Sequence, residues 1–259
     1  MVEYTFSLKD FEIFLLVLVR VSCFVYIAPF FGMVNVPSRV KIGLAVCITL
    51  LISGFVDTSF VEYTGMLGYA VIVLKEGITG LLIGLAANIC NSIILFAGNI
   101  IDMDIGLSMA QEFDPINRTQ VTISGNLYFY FLMMLLVVTN MHHVILNSFV
   151  DAFALIPING QAFDWEHLTS SFVTYMGDLT VISFRIMLPI FACIMILNSI
   201  LGILVKVAPQ MNMFAVGMQL KILVGFLVLY LTITLLPSIA NFIFTEMRKM
   251  MVLFVEGMY

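Results

Sequence analysis

The chain has 259 residues, of which 62 % are hydrophobic and only 10 % are charged, and its formal net charge is −5. A soluble domain carries about 25 % charged residues, so this composition excludes an ordinary water-soluble protein and predicts one associated with a membrane. The sequence contains no basic block, which argues against nucleic acid as a partner.

Six apolar regions follow one another along the chain, and we interpret each of them as helical. They cover 11–33, 42–56, 65–101, 119–150, 168–205 and 207–245. Acidic residues precede the first region and no small-residue cleavage site follows it, so we predict a retained helix there and not a signal peptide. The fifth region contains no turn signal, and we expect Pro189 to kink that helix and not to end it.

A bilayer core of about 30 Å requires about 20 apolar residues in a helix, and the uncharged runs 77–101, 186–205 and 222–245 satisfy this requirement. The basic residues of 35–41 predict that this linker is cytoplasmic. Six crossings would then place Arg248 and Lys249 on the opposite side, which the same rule disfavours. We therefore predict an all-α, multi-pass protein whose long, kinked helices pack against other protein, and in which some apolar regions are not independent crossings.

Charged side chains inside the apolar regions are the first candidate functional residues. Each costs about 2.5–3.5 kcal/mol at the centre of a helix in lipid, so each needs a partner or water. Asp178 and Arg185 are two turns apart on one helix face, where they could pair through water or with a neighbouring subunit. Charges near helix ends could instead reach the membrane interface. The candidate buried charges are Arg20, Lys75, Glu76, Asp178, Arg185 and Lys221.

Glycines supply the second signal. Gly80 and Gly84 are one helical turn apart, a spacing that lets a second helix approach closely. Gly77 precedes them, and Asn88 continues the same ridge with a side chain that can form a hydrogen bond to a neighbouring helix. This pattern predicts tight packing between helices.

The polar stretch 102–118 is the third candidate. Gly106 permits a turn, and Asp114 followed by Pro115 marks another. Leu107, Met109 and Phe113 make the stretch half apolar. It could line or block a pore, because methionine side chains are unbranched and adaptable, or it could be an ordinary surface loop.

Catalytic and metal sites are not indicated. The four cysteines lie far apart inside apolar stretches, which supports neither disulfides nor a paired-cysteine metal site. His142 and His143 are adjacent, so on a helix they point in different directions and cannot share a metal ion. Gly106 to Ala110 only approximates a nucleophile elbow, and the strand–turn–helix context of that motif is not predicted. We predict no enzyme, no cofactor and no metal site.

One motif is more specific. The run Ala208-Pro209-Gln210-Met211-Asn212-Met213-Phe214 is followed by Gly217 and Lys221, and the matching family has the pattern APQxNxF…G…K. The earlier residues that match the same family in order are Arg20, Pro29, Gly32, Pro37, Arg39, Lys41, Glu76, Gly77, Gly80, Gly84, Gly98, Asp102, Gly106, Asp114 and Pro115. Over nearly its whole length the chain resembles the R subunit of the flagellar protein-export gate, the FliR family, whose injectisome relatives are the SctT proteins.

The resemblance implies a single domain over 1–259 that is not an enzyme. It implies one subunit of a hetero-oligomeric helical assembly with P and Q subunits in the bacterial inner membrane, at the flagellar basal body. The B switch subunit and membrane lipid would be further partners, and unfolded export substrates would pass through the channel. The segment 101–122 would be the plug of the closed pore, with Gly106, Leu107, Met109 and Phe113 sealing it.

The motif around Pro209 has two interpretations. Pro209 removes a backbone donor and ends the preceding helix, and Gln210 and Asn212 could bond to the freed carbonyls or to a neighbouring subunit. We favour a structural hinge made by Pro209, Gln210, Asn212, Phe214 and Gly217 over direct contact with a substrate.

The sequence departs from the family pattern at three positions. Asp104 stands where the family commonly has Gln, Gln219 where it commonly has Pro, and Lys206 where it commonly has Arg. Asp104 therefore supplies a carboxylate where the family commonly has an amide. Other functions stay open: an injectisome gate subunit, a solute transporter or ion channel, or a scaffold without pore contact.

Overall fold

A computed structural model of the chain describes residues 8–33, 35–54, 63, 65–110, 113–114, 119–120, 122–208 and 213–259. The fold in these ranges is helical, which confirms the predicted all-α class. The α-helices α1 to α9 are Leu8–Ile27, Ser38–Ser53, Gly65–Ala87, Ile89–Ile105, Ile123–Val138, Met141–Leu155, Trp165–Val207, Met213–Thr232 and Leu236–Glu256. Two short 3-10 helices cover Leu107–Ala110 and Ile233–Leu235. The strands β1 (Phe113–Asp114) and β2 (Thr119–Gln120) pair antiparallel, with Phe113 opposite Gln120.

Several helix boundaries differ from the predicted ones. We expected the first helix to reach residue 33, but α1 ends at Ile27, because Pro29 follows and Phe30 has a positive φ of 68°. The region 119–150 is divided at Asn140, whose φ of 56° is a left-handed conformation that asparagine tolerates. The region 65–101 is divided between α3 and α4. Residues 102–105 were predicted to be loop and form the last turn of α4.

The helix α7 is 43 residues long and contains Pro189 without ending there, as expected. At 1.5 Å per residue it is about 65 Å long, roughly twice the thickness of a bilayer core. A proline in a helix interior removes one backbone hydrogen bond and crowds the preceding turn. The helix nevertheless continues through Pro189 as a single element.

Three segments within the described ranges are long and apolar enough to cross a membrane: Gly65–Ala87, Trp165–Val207 and Ala215–Glu256. A fourth is added if α5 and α6, which are bent at the break between them, form one span. The number is smaller than six because α2, α4, α5 and α6 have only 15 to 17 residues each. The first helix fails for a different reason, since Lys9, Asp10, Glu12 and Arg20 interrupt it.

The chain divides into two compact units whose segments alternate in sequence. The first unit contains Met1–Ile89, Asn140–Tyr175 and Thr245–Tyr259, and the second contains Cys90–Thr139 and Met176–Phe244. In the first unit α1 packs on α3 and α2, and the Phe24 and Phe149 rings stack at 4.0 Å. In the second unit the Ser183 hydroxyl of α7 donates a hydrogen bond of 2.9 Å to the Ile93 carbonyl of α4.

Candidate functional site

The α4–α5 segment (residues 102–122) contains the four residues to which the family resemblance assigns a plug role. Gly106 follows α4 with a φ of +91°, a conformation that glycine adopts without strain and other residues rarely adopt. The backbone then forms the 3-10 helix that includes Leu107, whose side chain is only 5 % exposed. Met109 lies in the same 3-10 helix and Phe113 begins β1, but their side chains lie outside the described part of the chain.

A buried carboxylate holds together the two ends of the α4–α5 segment, which we call its base. The Ser124 N–H, in the first turn of α5, donates to Asp102 Oδ1 at 3.2 Å and to Oδ2 at 3.3 Å. Both residues are buried. The first N–H groups of a helix have no partner within the helix, and the helix dipole favours an anion at that end. Asp102 therefore satisfies α5 and is itself stabilised, and it ties together the two ends of the segment.

A glycine pair lies beside this hydrogen bond. A Cβ placed on Gly98 in α4 would overlap the Cα of Gly125 in α5, so the two helices approach with backbone against backbone. Gly98 is one turn before Asp102, and Gly125 is the residue after Ser124. The Asp102–Ser124 hydrogen bond and the Gly98–Gly125 contact therefore lie next to each other, and together they hold the two ends of the α4–α5 segment.

The first half of the α4–α5 segment also lines a cavity of about 350 Å³ within the second unit. The Asp104 carboxyl is half-buried, and its Oδ2 atom is buried without a hydrogen-bond partner within the described ranges. Burial raises the pKa of Asp104, and the Lys221 ammonium opposes that rise. The cavity is lined by Met103, Asp104, Ile105, Gly106 and Ser108 on one side and by Asn198, Leu201, Gly217, Met218 and Lys221 from α7 and α8.

A second polar cluster lies in the first unit, around Arg20 of α1 and Glu76 of α3. Both side chains are fully buried, and Arg20 Nε donates to Glu76 Oε2 at 2.5 Å. Arg20 Nη1 donates to the Ile156 carbonyl at 2.8 Å, and the guanidinium lies 4.4 Å from the centre of the Phe153 ring. Glu76 Oε1 accepts the Gln161 amide at 2.7 Å. The cluster therefore joins α1, α3 and the loop that follows α6.

The sequence does not predict the loop residues that form hydrogen bonds to Arg20 and Glu76. The charges inside helices indicated Arg20 and Glu76, because each needed a partner. Nothing in the polar linker 151–167 indicated that the Ile156 carbonyl, the Asn159 N–H and the Gln161 side chain would complete the site. The only signal was that the linker is rich in polar and turn-forming residues, which is common to many loops.

The other predicted buried charges are not brought together. Lys75 is half-buried in α3, next to Glu76. Asp178 is half-buried and its Oδ2 has no hydrogen-bond partner in the described part of the chain. Arg185 is exposed and lines a smaller cavity of about 260 Å³ with residues of α7 and α9. The described residues contain no ion pair between Asp178 and Arg185, so a pairing through water or a neighbouring subunit stays a prediction.

The predicted packing glycines of α3 face α1. A Cβ on Gly80 would overlap the Arg20 carbonyl oxygen, and a Cβ on Gly84 would lie 3.2 Å from the Phe24 carbonyl oxygen. Gly77 has looser surroundings, with Val19 Cγ1 at 3.6 Å from a Cβ. Asn88 lies at the break between α3 and α4, where its N–H donates to the Gly84 carbonyl at 3.0 Å.

The predicted hinge falls largely outside the described residues. Pro209, Gln210 and Asn212 belong to the part of the chain that the structure does not describe, and only the backbone of Phe214 is given, in the first turn of α8. Gly217 is described, and a Cβ there would lie 3.3 Å from Leu201 Cδ1 of α7. The hinge assignment therefore stays a prediction, with α7 ending at Val207 and α8 beginning at Met213 on either side of it.

Comparison with known proteins gives one consistent result. The model of the family "Bacterial export proteins, family 1" matches residues 11–247. The chain is 29 % identical to the flagellar biosynthetic protein FliR of Bacillus subtilis over 242 residues, which cover 91 % of each chain. It is 28 % identical to the protein of that name in Escherichia coli over 226 residues, 87 % of this chain and 84 % of that one. It is 25 % identical to the Aquifex aeolicus protein of that name over 239 residues, 92 % of each.

Proposed function

The chain belongs to the bacterial export proteins, family 1, and on that premise we propose that it is a subunit of the flagellar protein-export apparatus in the bacterial inner membrane. Three curated relatives that it matches over most of their length are named flagellar biosynthetic proteins, which supports the flagellar system over the injectisome. The long apolar helices support a place in the membrane. The chain acts there without catalysis, with P, Q and B subunits as partners.

The channel role rests on the α4–α5 segment. We propose that this segment is the plug of an export channel that the chain forms with P and Q subunits. The observation that carries the proposal is the anchored base: the Asp102 carboxylate bound to the Ser124 N–H, beside the Gly98–Gly125 contact. A segment whose two ends are fixed at one point can seal a pore and return to the same position after it has opened.

The sealing mechanism is steric. Leu107, Met109 and Phe113 are apolar, and apolar side chains exclude water and ions from a narrow passage. Methionine is unbranched and flexible, so it conforms to irregular neighbours and moves aside at little cost. An extended substrate chain would part these side chains as it threads through, and the segment would close again behind it. This mechanism requires no bound cofactor and no chemical step in this chain.

Crosslinking tests the plug assignment. A photoreactive amino acid is introduced at Leu107 or Met109, and a substrate with a folded domain at its end is trapped in the assembled apparatus. We expect a crosslink to the trapped substrate from both positions and none from Tyr259, which is exposed at the C-terminus. A scaffold without pore contact would crosslink at neither segment position.

A solute transporter is the second candidate function, and the partly buried Asp178 and Lys221 are the observation that favours it, because charges inside membrane helices often line a substrate path. The two functions differ in their assembly. Purification in mild detergent should recover a transporter alone or as a small homo-oligomer. An export-gate subunit should co-purify with unlike subunits in a fixed ratio.

A further inference from the structure

The cavity that Gly106 helps to line has one acidic and one basic side chain in its wall, and these come from different elements. Asp104 comes from the last turn of α4, immediately before the turn at Gly106, and Lys221 comes from the middle of α8. Both line the same cavity of about 350 Å³. The other polar side chains that line it are Ser108 and Asn198, so Asp104 and Lys221 carry its only charges within the described residues.

Within the described part of the chain, Asp104 Oδ2 is buried without a hydrogen-bond partner, and Lys221 belongs to no ion pair. An ammonium in the middle of an apolar helix and an unsatisfied buried carboxylate are both costly. The attraction between them reduces both costs at once, and the Lys221 ammonium lowers the pKa of Asp104 against the effect of burial. A cavity of this size also has room for water that bridges the two groups.

The neighbouring carboxylate does not compete for Lys221. Asp102 is two residues earlier on α4 and is bound to the Ser124 N–H, where the start of α5 stabilises its charge. The two acidic residues of α4 therefore have different surroundings. Asp102 holds α4 to α5, whereas Asp104 lines the cavity together with Lys221 of α8.

We propose that Asp104 and Lys221 are positioning residues for the α4–α5 segment: their attraction across the cavity holds the end of α4 toward α8 and so sets where Gly106 turns the chain. The pair acts through the backbone, since Gly106 lines the same cavity and is two residues from Asp104. This inference rests on the proposed plug function for its biological meaning, but the coupling between the two residues is a separate physical claim.

A cycle of neutral substitutions tests the coupling in the full chain, within the complex purified with its sister subunits. The variants are Asp104→Asn, Lys221→Met and the double variant, and the readout is amide hydrogen exchange of peptides covering 103–110. Each single variant should speed exchange by at least about threefold, and the double variant should be no faster than either single one, because substitutions of residues that are coupled through a shared cavity have non-additive effects. Lys75→Met and Asp178→Asn are matched controls and should leave exchange in these peptides unchanged.

Additive effects in the double variant, or exchange unchanged in both single variants, would overturn the positioning role. A charge exchange, Asp104→Lys with Lys221→Asp, gives a second test: it should restore the slow exchange that either reversal alone abolishes, and failure to restore it counts against the pair. Failure of the plug function is recognised separately. If deletion of Gly106–Phe113 leaves ion leakage unchanged while the cycle shows coupling, the positioning pair stands and the plug assignment is wrong.

Discussion

The carboxylate of Asp102 accepts the N–H of Ser124 at 3.2 Å, and this hydrogen bond joins two residues that bracket the α4–α5 segment. It converts a long connection into a loop with a closed base. The donor to Asp102 is a backbone N–H in the first turn of a helix, and every residue except proline has such a group. The only side chain that this hydrogen bond requires is therefore that of Asp102. The stability of the loop base should therefore depend on this one side chain.

Substitution of Asp102 by Ala should destabilise the purified complex by about 1–3 kcal/mol, because it leaves the buried N–H of Ser124 without a partner. Thermal unfolding and limited proteolysis within the α4–α5 segment measure this effect. Asp151→Ala is the control, since Asp151 is exposed on α6 and should tolerate the change. Equal stability of the two variants would show that the hydrogen bond does not hold the base.

Substitution of Gly98 by Ala should force α4 and α5 apart, because the new Cβ would overlap the Cα of Gly125. We expect the yield of assembled complex to fall, as measured by size-exclusion chromatography after co-expression with the sister subunits. Gly43→Ala in α2 is the matched control: nothing lies within 4 Å of its Cβ position, and alanine favours a helix over glycine by about 1 kcal/mol. A normal yield of the Gly98 variant would contradict the close approach of the two helices.

Substitution of Gly106 by Ala should strain the turn at the end of α4 by about 1–3 kcal/mol, because its φ is +91°. Space is not the obstacle, since nothing lies within 4 Å of the Cβ position. The expected result is a displaced α4–α5 segment, seen as faster hydrogen exchange over 103–110. Gly177→Ala in α7 has equally open surroundings inside a helix and should leave the exchange unchanged.

Substitution of Arg20 by Met should destabilise the first unit by about 3–5 kcal/mol, because it leaves the buried Glu76 carboxylate without its ion partner. The double variant Arg20→Met with Glu76→Leu should be more stable than Arg20→Met alone, since it removes both charges. The unsubstituted protein, the single variant and the double variant are ranked in stability by the detergent concentration or the temperature at which each aggregates. If the double variant is less stable than the single one, the cluster contributes more through its bonds to Ile156 and Gln161 than through the ion pair.

The sequence predicted the helical class because apolar periodicity and composition depend only on local residue types. It also indicated which charges needed partners, since the cost of burying Arg20 or Glu76 can be assessed without coordinates. It could not identify the partners, because Glu76 and Gln161 meet only after the chain returns from α6. The polar character of Asp102 suggested a loop, whereas the structure uses it as the last turn of a helix with a partner on α5.

Conductance of the assembled apparatus tests the central claim most directly. Deletion of Gly106–Phe113, which leaves Asp102 and Ser124 in place, should raise the leakage of small ions through complexes reconstituted in lipid or present in cells. The control is Gly177→Ala, which has open surroundings inside α7 and leaves the α4–α5 segment at full length. The account predicts leakage from the deletion alone, and unchanged conductance in an assembled complex that carries the deletion would contradict it.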